Sequence, residues 1–278
     1  VLIGNGMAGL RTVEELLKLD PDMYDITIFG AEPHPNYNRI MLSPMLAREK
    51  TLSDIVLNTL EWYEENGIKL ITGDPVVKID RVKREVTSEK GEVVTYDRLL
   101  LATGSNPFII PIPGADKQGV IGFRDVADVE TMLAAAREYK NAVVIGGGLL
   151  GLEAAAALRL RGMEVVVLHL MGHLMERQLD PAAGYLLQRE LESRGIKVHC
   201  KAQTKAILGT ENVDAVLLDD GTIYDADIVV MAVGIRPETR IATDAGVHVE
   251  RGILVNDQMQ TSDPDILAIG DFVARKKP

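Results

Sequence analysis

Gly4-x-Gly6-x-x-Gly9 and Gly146-x-Gly148-x-x-Gly151 repeat glycine at a spacing that suits the binding of a dinucleotide pyrophosphate. The first glycine of such a triplet permits a tight strand-to-helix turn. The second lets the backbone approach a pyrophosphate, and the third lets the helix pack closely on the strand. The helix starts, Met7-Ala8 and Leu149-Leu150, present free N–H groups and the positive end of a helix dipole to the phosphates. One triplet alone is compatible with a purely structural turn. Glu32, ending a second apolar run from Ile26 to Ala31, stands where an acid accepts from adenosine ribose hydroxyls, although a solvated loop acid fits the same position.

Two dinucleotides on one chain point to hydride transfer, in which a nicotinamide delivers two electrons and a flavin stores them. Cys200 is the only cysteine, which excludes an internal disulfide, a CxxC pair and a cysteine-ligated iron–sulfur cluster. Electron chemistry therefore falls to bound cofactors. Asp271 is placed for a flavin ribityl chain, and equally for a helix N-cap before Phe272.

The elements that must position these residues occur twice. Val1-Leu2-Ile3 reads as the end of a buried strand, and Leu10, Val13 and Leu17 recur on one helix face until Asp20-Pro21. Leu60–Gly67 reads as a helix, Ile68–Ile71 as a strand, and Val76–Tyr96 as three short alternating strands. Leu99-Leu100-Leu101-Ala102-Thr103-Gly104 closes the unit, and Asn106-Pro107, Pro111 and Pro113 make a stiff crossing. The pattern then restarts with Ala142–Ile145, the second triplet, a helix to about Gly162, a strand from Glu164 to Leu170 and a charged helix from Asp180 to Gly195. Short alternating strands from Ile196 to Ile223 and a closing strand from Ile228 to Met231 complete it. Leu99–Pro107 and Val229–Pro237 share one pattern: apolar strand, Ala-x-Gly, two residues, Pro. This is an internal duplication, and it favours two dinucleotide sites over two unrelated turns. The tail strand Ile266–Ile269 with Gly270-Asp271 matches neither copy, so the chain is expected to return and complete the first unit.

The expected class is α/β, with two Rossmann-like domains that each carry a small antiparallel β insertion. The bounds are 1–112 for the FAD domain, 113–239 for the NAD(P)H domain and 240–278 for the FAD-domain return. A length of 278 residues holds two cores, since single cores stop growing near ~250–300 residues. The net charge of −11 argues against a nucleic-acid partner. No window reads as a membrane span or a signal peptide, so neither a membrane nor export is expected and a cytoplasmic location is. Only three residues precede Gly4, against roughly 5–6 in an ordinary strand, so a fragment at both ends is expected.

Taken in order, the two triplets with Leu101-Ala102-Thr103-Gly104, Glu153, Met231-Ala232-Val233-Gly234-x-Arg236-Pro237 and Ala268-Ile269-Gly270-Asp271 resemble the pyridine nucleotide-disulfide oxidoreductase superfamily, of glutathione-reductase-like fold. Asn36–Arg39, Leu42-Ser43, Glu61–Tyr63 and Leu174–Asp180 are most similar to the N-terminal FAD/NAD(P)H part of assimilatory nitrite reductase large subunits. The resemblance implies FAD on Gly4, Gly6, Met7, Ala8 and Gly9. Glu32 would lie at its ribose, Arg39 near the pyrophosphate, Val76 at the adenine, Ala102, Thr103 and Gly104 alongside, and Gly270-Asp271 at the ribityl chain. NAD(P)H, the substrate, would lie on Gly146, Gly148, Leu149, Leu150, Gly151 and Gly234, with Glu153 as the catalytic residue orienting the carboxamide. His169 stands where NADH-preferring relatives carry an acid, which leaves NADH against NADPH open.

Ser43-Pro44 replaces the cysteine of thiol-using relatives and the lysine of ferredoxin reductases. No metal ligands are expected in this chain. The implied function is an FAD-dependent NAD(P)H oxidoreductase feeding an iron–sulfur/sirohaem domain or a small redox protein, with a homodimer expected for the full-length protein. The alternatives are a free-standing rubredoxin or ferredoxin reductase and a non-catalytic flavoprotein sensor.

Overall fold

A computed structural model describes residues 1–275; Lys276, Lys277 and Pro278, with which the expected return segment ends, lie outside the described residues. The chain divides into two compact units. One holds residues 1–38, 55–106 and 236–278, and the other residues 39–54 and 107–235. The expected bounds differ at the crossings, and residues 39–54 group with the second unit.

The first unit is built on a parallel sheet in the order Ile266–Ala268, Leu99–Leu101, Leu2–Ile3, Thr27–Phe29, Lys69–Ile71. Both faces are covered. Leu10 and Val13 of the helix Met7–Leu19 pack with Leu2, Ile28 and Tyr63 on one, while Val86, Leu99, Leu101 and Ile266 share the cluster on the other. The tail strand pairs in parallel with Leu99–Leu101, so the expected return to the first unit is present. Val76–Asp80, Glu85–Ser88 and Val93–Thr95 form the antiparallel insertion.

The second unit repeats the plan in the order Ile196–Cys200, Glu164–His169, Asn141–Ile145, Ile228–Met231, Val120–Ile121. Its central strands are buried along almost their whole length, as strands covered on two faces must be, and their sequences are accordingly runs of Val, Ile and Leu. The run from 196 to 223, expected as insertion, splits. Ile196–Cys200 joins the parallel sheet in register with Val165–His169, and only Thr204–Leu208, Ala215–Leu218 and Ile223–Asp225 form the antiparallel sheet. A helix at Val126–Glu138 begins at an Asp125/Asp128 capping box.

The outermost strand beside each closing strand has a different origin in the two units. In the first it is Ile266–Ala268, which follows the whole second unit in the sequence. In the second it is Val120–Ile121, which precedes the glycine turn.

Candidate functional site

Each glycine turn is set by its closing strand. Gly4 has φ +109° and Gly146 has φ +122°, a region where an L side chain is strained. A Cβ would stand 2.1 Å from the Ala102 carbonyl oxygen at Gly4 and 2.3 Å from that of Ala232 at Gly146. The closing strands are held there by backbone bonds, Ala102 N–H to Ile3 O and Ala232 N–H to Ile145 O, both 2.8 Å. A Cβ at Gly9 would meet Gly4 O at 2.9 Å, and one at Gly151 would meet Gly146 O at 2.1 Å, so each helix packs directly on its own turn.

Gly6 and Gly148 behave differently from their neighbours. A Cβ at either would have nothing within 4 Å, so the chain leaves open the approach that a pyrophosphate needs. The helices that follow, Met7–Leu19 and Leu149–Leu160, start at these glycines without a side-chain cap, whereas Asp125 and Asp180 cap Val126–Glu138 and Pro181–Ser193. Two helix starts with uncapped N–H groups beside open glycines fit the phosphates of two dinucleotides.

The other expected residues are distributed over both units, and Arg39, expected with the first turn, lies in the second unit. In the first unit, Glu32 accepts from the Tyr37 hydroxyl at 2.6 Å. Thr103 donates to Glu238 O at 2.7 Å, and Gly104 O accepts from Glu238 N–H. Gly270 lies near the helix start, its added Cβ 3.8 Å from the Ala8 methyl. Asp271 is exposed with Ser105 Oγ at 3.5 Å, and Val273–Arg275 after it is a strand, which removes the N-cap reading. Val76 opens its strand within the cluster of Ile3 and Phe29.

In the second unit, Arg39 begins a short 3-10 turn and donates to Arg124 O at 3.1 Å. Gly234 follows the closing strand, its carbonyl accepting from Phe108 N–H. Glu153 lies on the helix after the turn and accepts from Ser43 Oγ at 2.5 Å. His169 is only 6% exposed, and its Nδ1 accepts from Gly147 N–H at 3.0 Å.

Several residues that shape the site carry no spacing signal in the sequence. Asn5, inside the first triplet, accepts from the Tyr63 hydroxyl at 2.8 Å and donates to His34 O. Burial pushes the Tyr63 phenol above its usual range, against the bonds from Asn36 N–H and to Asn5 that lower it. In the sequence Ser43 stands out only as the residue that replaces a cysteine; in the structure its hydroxyl is the contact that fixes Glu153. Burial, with Glu192 nearby, raises the Cys200 thiol, which leaves it a poor nucleophile. Among the described residues no group of three or more His, Cys, Asp or Glu is placed to hold a metal ion, and no helix is long and apolar enough to cross a membrane.

The model of the pyridine nucleotide-disulphide oxidoreductase family matches residues 1–278. The chain belongs to that family. It is an oxidoreductase of the FAD- and NAD(P)-binding fold, working with FAD and NAD(P)H. Among pyridine nucleotide-disulphide oxidoreductases and their kin it is 55% identical over 271 residues to a nitrite reductase [NAD(P)H] of Bacillus subtilis, covering 98% of this chain and 34% of that protein. It is 49% identical to the assimilatory nitrate reductase electron transfer subunit of the same organism, covering 98% of this chain and 35% of that one. The chain thus spans about a third of the length of these curated relatives. The crystal structure of a ferredoxin reductase from Rhodopseudomonas palustris superposes with a TM-score of 0.91 at 31% identity, covering 99% of this chain and 68% of that one.

Proposed function

We propose that this chain is the FAD-dependent NAD(P)H oxidoreductase module of a longer nitrite reductase subunit, passing electrons from NAD(P)H through FAD to an iron–sulfur/sirohaem centre. The pair of open, uncapped glycine turns carries this reading, because one phosphate site would serve a single nucleotide and two serve a donor and a store. The first turn would hold FAD through Gly4, Gly6, Met7, Ala8 and Gly9, with Glu32 at its ribose and Thr103, Gly104 and Asp271 beside it. The second would hold the nicotinamide nucleotide through Gly146, Gly148, Leu149, Leu150, Gly151 and Gly234. When bound, FAD supplies an electron store that takes two electrons from the nicotinamide and releases them to the acceptor.

The protein's part is orientation. The Ser43 hydroxyl occupies Glu153 Oε2 and fixes the carboxylate, whose remaining acceptor capacity suits the N–H groups of a carboxamide. No side chain need move a proton in this transfer, because a hydride carries the hydrogen nucleus together with its two electrons. Similarity to the Bacillus subtilis nitrite reductase supports the acceptor assignment. A free-standing ferredoxin-type reductase is the second reading, favoured by the match covering 68% of the Rhodopseudomonas palustris reductase.

Anaerobic titration of the FAD-loaded protein with NADH and NADPH tests the proposal: the flavin absorbance bleaches with one equivalent, and a flavin that stays oxidised refutes it in favour of a binding or sensing role. Reoxidation by an added sirohaem domain, rather than by rubredoxin or ferredoxin, separates the two enzymatic readings.

A further inference from the structure

At the C-terminal edge of the second sheet, where a Rossmann unit reads the adenosine ribose, His169 cannot reach a ligand. Its side chain keeps 8% of its exposure, and Nδ1 is taken by Gly147 N–H, so the neutral ring carries its proton on Nε2. That nitrogen is buried and makes no aligned hydrogen bond, and the atom it faces is Glu176 Oε2 at 3.1 Å. Glu176, by contrast, retains 28% of its side-chain exposure.

The chain after the strand folds back to make this pairing. Met175, at φ +54°, donates its N–H to Gly147 O at 2.9 Å, and buried Leu174 lies where a Cβ on Gly147 would be, 2.5 Å from it. Gly147, the centre of the glycine turn, is thus tied by its N–H to His169 and by its carbonyl to the residue before Glu176. A carboxylate backed by a ring N–H 3.1 Å away and open to solvent in front is what two ribose hydroxyls need. A phosphate on the 2′ oxygen would instead bring like charge against it.

We propose that Glu176, positioned by His169 and Met175, reads the 2′ position of the adenosine ribose of the nicotinamide dinucleotide and makes the protein prefer NADH over NADPH. The inference rests on the reading of the second turn as the nicotinamide site. The competing cations are Arg177, exposed and next to Glu176 in the chain, and Lys201, which follows the strand Ile196–Cys200 and whose Cε lies 3.7 Å from a Cβ built on Gly172.

The test is calorimetric binding of NAD+ and NADP+ to the full FAD-loaded chain, which needs no turnover. The unaltered protein binds NAD+ more tightly, and Glu176→Gln, the same shape without the charge, lowers the ratio of the two dissociation constants about tenfold. His169→Asn lowers it about threefold with the flavin spectrum unchanged, by releasing Glu176 rather than by removing a ligand contact. An unchanged ratio in Glu176→Gln with both nucleotides still bound overturns the assignment alone, as does tighter binding of NADP+ than of NAD+ by the unaltered protein. An unaltered protein that binds neither nucleotide overturns the reading of the second turn and this assignment with it.

Discussion

The two glycine turns share one backbone and one closing-strand support and differ in the side chains that brace them. In both, a positive-φ glycine lies under an alanine carbonyl of the closing strand, and a helix starts at an uncapped, open glycine. The residue after the first glycine then diverges. Asn5 carries its own side chain to His34 and takes the Tyr63 hydroxyl, whereas Gly147 has none and is held by His169 and Met175 from outside. The acids differ too: Glu32 follows the strand Thr27–Phe29 closely and is held by Tyr37, while Glu176 arrives after a loop. The part that meets phosphate is set by steric necessity. The part that chooses a nucleotide is free to vary.

The largest effects should come from closing the open glycines. Gly6→Val should abolish FAD retention, while Gly148→Val should keep FAD and lose reduction by NAD(P)H, both read from absorbance spectra. Equal loss of flavin in the two variants would break the division of labour between the turns. Next come the helix contacts. Gly151→Ala places a methyl 2.1 Å from a carbonyl oxygen and Gly9→Ala one at 2.9 Å, so both should destabilise, by about 1–3 kcal/mol or more, and Gly151→Ala by the larger amount in denaturant unfolding. The reverse order would show that the helices are not seated as closely as the geometry requires.

Ser43→Ala should slow flavin reduction about tenfold at saturating NADH while leaving the nucleotide dissociation constant nearly unchanged, with Ser43→Thr restoring the rate. A loss confined to affinity would show that the hydroxyl does not orient Glu153. Last is Tyr63→Phe, which removes the hydroxyl bracing Asn5 and leaves the buried Asn36 N–H without its acceptor; it should cost about 1–2 kcal/mol by chemical denaturation, with no counterpart effect in the second unit.

The duplication, the closing strands and the return of Ile266–Ala268 are legible in the sequence because they rest on local spacing and on apolar runs. Ile196–Cys200 is not, because a short alternating strand is the same text at a sheet edge and in an insertion; only its register with Val165–His169 decides. The helix Val126–Glu138 lies outside the repeated pattern that guides the reading, although Asp125, Asp128, Val129 and Met132 spell out its cap and buried face. His169 stands at the expected place but points inward, because Gly147 beside it has no side chain to keep the ring out. Ser43 and Glu153 are 110 residues apart, and no periodicity announces such a pair.

The origin of the outer strands sets a timetable for synthesis. Every strand of the second parallel sheet lies between Val120 and Met231, so that sheet is complete once this stretch has left the ribosome. The first sheet must wait for Ile266–Ala268, so of these two sheets the one whose central strands emerge earlier is completed second. Until then Leu99–Leu101 presents an unpaired apolar edge, and the interval before Ile266–Ala268 arrives is one in which the nascent chain is open to aggregation and to capture by chaperones.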